Sequence, residues 1–218
     1  MRILSLILII ELIISCNTNS GDRKSTSKAR DTIRVHDTIV VAKERNNWQE
    51  YFELTHDPDV DSVWFQPVSY YLNDPDCSGL ARDFYYGSLR PSDDGTTDEL
   101  LKLATTNDHK LRPFYRWCLN LTIIIEDGAL AEHTGIPARK YAEKFPEEFI
   151  RYMDIDTSGQ RYEDWVGSIS YSGFYDGDDY RKPKAIARRF ADAMKQNCKS
   201  CSQKMLTRID TLARECFY

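Results

Sequence analysis

The sequence predicts a mainly α-helical fold, a compact domain of short helices that closes on a helical hairpin. Three observations carry that reading. Apolar residues beyond Trp48 recur at intervals of three to four rather than two. Proline and capping-type residues stand where short helices would begin. Two strongly amphipathic stripes occupy the C-terminal end of the chain. No period of fixed length repeats, so a solenoid has no support.

Taken in order, Trp48, Tyr51 and Phe52 open the apolar spacing. Val60, Trp64, Val68 and Leu72 continue it across Pro67, which is expected to kink or split the helix. Leu80 and Phe84 mark a further short helix closed by Gly87. Thr96 and Glu99 have the form of a capping box ahead of "LLKLA". Leu111, Phe114, Cys118, Leu121 and Ile125 form one stripe. The ending "LTIII" is β-prone, so a buried strand over 119–125, and with it an α+β fold, is the rival reading. Pro137 and Pro146 each suit the first turn of a short helix, the second followed by Glu147 and Glu148 where the helix dipole favours acids. The closing hairpin places Ile186, Phe190 and Met194 on one inward face and Cys201, Met205, Ile209, Leu212 and Cys216 on the other.

The charge is unevenly spread. The formal net charge of −5 conceals −15 over residues 48–180, where 11 basic side chains face 26 acidic ones. Residues 181–218 carry 10 basic and 3 acidic side chains, a net of +7. An acidic body of this kind repels nucleic acid and steers a basic partner towards it. It also attracts its own basic hairpin.

The N-terminus gives an address. From Ile3 to Ser15 the chain is apolar apart from Ser5, Glu11 and Ser15, and about 20 Å of helix is too short for a hydrocarbon core of about 30 Å. Arg2, a short apolar stretch, and Ile13-Ile14-Ser15-Cys16 follow the layout of a secretory signal. This segment resembles the lipobox of bacterial lipoproteins. The resemblance implies that residues 1–15 are removed and that Cys16 is acylated and anchors the chain in the cell envelope, facing periplasm or exterior. Residues 16–47 read as a polar, flexible tether with a net charge of +3 that is drawn to anionic headgroups. Residues 48–218 then form one globular domain. The two Asp-Thr-Ile triplets at 31–33 and 37–39 look like bacterial O-glycosylation acceptors, a pattern that also arises often by chance.

Five cysteines remain for an exported body, so at least one thiol stays unpaired. Cys201 and Cys216 stand too far apart along one helix to bond. "CKSC" at 198–201 invites a redox or metal reading, but no β-α-β context and no second cysteine pair accompany it. Structural cross-linking or burial is the expectation, with no metal and no cofactor.

Chemistry-bearing motifs are sparse. There is no HExxH, no phosphate loop and no nucleophile elbow. His36 lies in the tether, and His56, His109 and His133 sit near helix ends. Glu132 beside His133, and Glu163 beside Asp164, point about 100° apart on a helix and do not converge unaided. Asp154, Asp156, Ser158 and Gly159 begin like a calcium loop, but Trp165 stands where the bidentate glutamate belongs. The most suggestive stretch is "YSGFYDGDDY", whose two glycines argue against helix. Its aromatic residues either fold back as a lid or form an outer recognition surface. The candidate partner-binding residues are Tyr171, Phe174, Tyr175, Asp176, Asp178, Asp179 and Tyr180. The sequence therefore points to a lipid-anchored envelope module that binds a protein with a basic surface, of the inhibitor or immunity type. A glycan-binding accessory is the second reading and a hydrolase the third.

Overall fold

In the computed structural model of the 218-residue chain, residues 62–177 and 180–218 are described. The architecture is mainly α, as the apolar spacing predicts. A two-residue-per-strand hairpin, β1 (Ser62–Val63) and β2 (Gln66–Pro67), leads into α1 (Val68–Leu72), α2 (Gly79–Tyr85), α3 (Gly95–Lys102) and α4 (Arg112–Ile125). Then follow α5 (Ala131–Lys144), α6 (Pro146–Ile155), α7 (Gln160–Ser172), α8 (Pro183–Asn197) and α9 (Gln203–Phe217). No helix among the described residues is long and apolar enough to cross a membrane. The expected helix around Trp48 and the lipobox at Cys16 lie outside the described residues.

α4 is the spine of the domain. Every residue from Pro113 to Ile123 is buried. One face of it, through Phe114, Cys118 and Leu121, packs into a cluster with Val63, Tyr71, Phe84 and Leu100. Leu119 and Ile123 enter a larger cluster built on α5 to α9, with Trp165, Phe190, Met194 and Ile209 at zero exposure. Residues 119–125 are thus helix and not the rival strand. Burial of every residue from 119 to 123 outweighs the β-propensity of the ending, and Thr122 Oγ1 donates to the Cys118 carbonyl at 2.9 Å.

Other expectations need correction. The chain from Trp64 to Leu72 is not one kinked helix. Pro67 ends β2 and α1 begins after it, since the proline suits an extended residue at the helix entrance. Trp64 and Phe65 form the two-residue hairpin turn with φ of 51° and 64°. That is the left-handed turn a tight hairpin requires, and in residues this bulky it costs on the order of 1 kcal/mol or more each. The cap of α3 is Asp94, whose Oδ1 accepts from the Thr97 N–H at 2.9 Å, and not Thr96. Pro137 lies inside α5 and not at its start. The missing ladder bond is tolerated because α5 is held along α7. Pro146 does open α6 with Glu147 and Glu148 in its first turn. Gly87 follows α2 at φ 73°, the left-handed stop expected of it.

The hairpin of α8 and α9 buries Ile186, Phe190, Met194, Ile209, Leu212 and Cys216, while Met205 is half-buried. Cys201 precedes α9 and is paired with Cys198 across the turn. Cys77, Cys118 and Cys216 are free, and burial pushes all three thiols up, which leaves them inert.

Candidate functional site

The 171–180 stretch splits into two populations. Tyr171 is still helical, on the last turn of α7, and is 57% exposed. It continues an exposed stripe along α7 formed by Gln160, Glu163 and Gly167. Tyr180 is 73% exposed, and Asp176 and Gly177 are exposed between them. Asp178 and Asp179 lie outside the described residues.

Phe174 and Tyr175 turn the other way. The Phe174 ring meets Phe217 edge-on at 5.8 Å. The Tyr175 ring is clamped between two guanidinium groups, Arg139 at 3.8 Å and Arg189 at 3.9 Å. Its hydroxyl donates to Glu143, whose carboxylate also takes Arg139 at 2.9 and 3.0 Å. Burial first, and then the hydrogen bond to Glu143, pushes the Tyr175 phenol up, so it stays a neutral donor. The two middle rings therefore act as pins and the two flanking rings face outward. Sequence composition identified the aromatic residues but not this division, which depends on partners outside the stretch: Arg139 and Glu143 on α5, Arg189 on α8 and Phe217 on α9.

The charge map has a local counterpart. Arg208 of α9 grips Asp154 with two bonds, one of them 2.8 Å, joining the basic hairpin to the acidic body. The calcium-like loop is a polar turn. Burial works against the charge of Asp156, but bonds from the Ser158 hydroxyl and N–H and the Arg161 N–H outweigh it and hold the acid below its usual range. Those bonds occupy the oxygens a cation would need, and Trp165 is fully buried in the core.

Of the acid–base candidates, Glu132 is exposed and His133 is committed elsewhere. His133 Nδ1 lies 2.9 Å from Asp98 and Nε2 lies 2.6 Å from Asp93, so neither ring nitrogen is left for a substrate. Asp98 and then Asp93 raise the His133 pKa above 6.5, against some desolvation. Because the folded value is the higher one, the clamp is complete below the unfolded pKa and is lost as pH rises through the folded value. A His133→Gln variant is therefore expected to melt well below the parent chain at about pH 5.5 and close to it at about pH 8.5. Thermal melts of both proteins across that range check this, and a constant difference would remove His133 from the titration.

A second polar cluster lies inside. Glu148 Oε2 takes Arg112 Nε and Nη2 at 3.0 and 2.8 Å, while Oε1 takes Arg116 Nη1 at 3.1 Å and the Tyr141 hydroxyl at 2.8 Å. The Arg116 guanidinium is sandwiched by Trp64 at 4.4 Å and Tyr152 at 3.8 Å, with zero side-chain exposure. Nothing in the apolar spacing announced it, although a helix as apolar as α4 that carries an arginine was a signal.

Comparison with known proteins does not add a family: no family model, no curated protein and no solved structure matches the chain.

Proposed function

We propose that the chain is a lipid-anchored module of the bacterial envelope that binds a protein partner with a basic surface. One observation carries the reading most: Phe174 and Tyr175 pin a loop to the core while Tyr171 and Tyr180 face outward on either side of it. A loop held this way offers ring area with little ordering cost on binding. The net −15 of residues 48–180 adds a field that draws in a cation-rich partner. The anchor rests on the lipobox-like Ile13 to Cys16, for which acylated Cys16 as first residue is the expected mass-spectrometric result.

The test is capture from native envelope by the detergent-solubilised full chain, comparing it with Tyr171→Ala/Tyr180→Ala. The double variant is expected to lose one cationic protein that the parent retains, with unchanged melting because both rings are exposed. Rising salt should slow capture steeply. An identical set of captured proteins takes the loop out of the interface, and capture indifferent to salt favours ring stacking on a glycan.

A further inference from the structure

The turn between α8 and α9 brings three potential metal ligands together. One sulfur each from Cys198 and Cys201 and a carboxylate oxygen of Glu147 all lie within 4.8 Å of one another. Cys198 ends α8, Cys201 stands just before the Ser202 cap of α9, and Glu147 is in the first turn of α6. Three helix ends therefore fix the three groups, and the Cα atoms of the cysteines are 5.4 Å apart. All three residues are half-buried, open enough for entry and sheltered enough to matter.

Glu147 is held in position. The Ser200 hydroxyl at 2.7 Å and N–H at 3.1 Å both donate to Oε1 and fix the carboxylate beside the two sulfurs. Its Oε2 faces only the exposed Arg151 at 4.0 Å among the described residues. Met205 Sδ lies 3.0 Å from Cys201 Sγ, which makes the lining softer still.

We propose that these residues, once the disulfide is opened, bind one thiophilic divalent cation such as zinc. Charge decides between this and a nucleophilic redox centre. A fixed carboxylate beside two sulfurs disfavours a free thiolate, since like charges repel. A divalent cation makes the same three anions mutually favourable. Around tetrahedral zinc, with Zn–S of about 2.3 Å, two thiolate sulfurs stand about 3.8 Å apart, a span within reach of two cysteines whose Cα atoms are 5.4 Å apart. Two sulfurs and Glu147 Oε2 supply three ligands and water the fourth.

The chemistry balances in two steps. An external dithiol gives two electrons and two protons to the Cys198–Cys201 bond and leaves as its own disulfide. The cation then displaces both thiol protons into water as two metal–sulfur bonds and one metal–oxygen bond form. The oxidised chain lacks the two thiolates, so binding is gated by redox state.

Titration of the full chain with Co²⁺, with and without prior reduction by a phosphine, tests this. The reduced protein is expected to take one equivalent, with a thiolate-to-metal charge-transfer band that zinc abolishes by competition. The oxidised protein should show none. Cys198→Ser/Cys201→Ser should lose the band, and Glu147→Gln, which keeps the Ser200 contacts and the fold, should weaken binding at least about 10-fold. Absence of the band in the reduced chain, its persistence in the double serine variant, or unchanged affinity in E147Q would each overturn the assignment.

Discussion

Glu148→Ala is expected to lower folding stability by about 3–5 kcal/mol, the cost typical of removing one partner from a buried ion pair. Glu148 is the only carboxylate that the described residues place on Arg116, whose side chain has zero exposure. Arg116 Nε and Nη2 have no hydrogen-bond acceptor among the described residues, so the carboxylate, the Tyr141 hydroxyl that accepts from Nη1 at 3.1 Å and the two flanking rings are what hold that charge in place. Alanine leaves the Arg116 guanidinium no carboxylate and only the Tyr141 hydroxyl as acceptor among the described residues, and it removes an acceptor from Arg112 and Tyr141 together. The opposite truncation should be milder. In Arg116→Met, Glu148 keeps both bonds from Arg112 and the one from Tyr141, and a flexible apolar side chain fills the slot between Trp64 and Tyr152. Chemical denaturation of the full chain measures both, with the midpoint falling at constant slope. Equal losses in the two variants would mean that the cluster depends on Arg116 as much as on Glu148.

That cluster also shows where reading the sequence stops. Ile186, Phe190, Met194, Ile209 and Leu212 were legible as core because their spacing and burial share the helical period. Pro146 and the acids after it marked the start of α6 by a local rule that needs no tertiary partner. Asp94 was missed as a cap because two candidates two residues apart look alike until the chain direction is known. The Trp64–Phe65 turn was hidden for the opposite reason. A left-handed turn is announced by Gly or Asn, and here its conformation is held by side-chain contacts of Trp64 and by the Tyr71 hydroxyl on the Val63 carbonyl at 2.8 Å. In the candidate loop the ring residues were legible, but whether each faces in or out was set by Glu143, Arg139, Arg189 and Phe217, which no local pattern couples to it.

Gly135→Ala is expected to destabilise the domain by about 1–3 kcal/mol through overpacking, although alanine in a helix normally gains about 1 kcal/mol over glycine. A Cβ at Gly135 would stand 2.5 Å from the Ser168 carbonyl oxygen and 2.6 Å from the Gly173 nitrogen, and against the Ser172 hydroxyl. The first two are backbone atoms, so no rotamer relieves them. The hydroxyl is also committed: it accepts from the Gly135 N–H at 3.0 Å and donates to the Ala131 carbonyl at 2.6 Å. It is thus inserted between two groups that a regular helix would join directly. α5 and α7 meet backbone to backbone only while residue 135 lacks a side chain, and that contact sets the start of the loop that Phe174 and Tyr175 pin. Gly167→Ala, on the exposed stripe of α7 with nothing within 4 Å of a new Cβ, is the matched control. It should stabilise by up to about 1 kcal/mol. Thermal or chemical melts of the two single variants should therefore move in opposite directions. If both gain stability, α5 and α7 can separate freely, and the loop beyond Ser172 is not held by their contact.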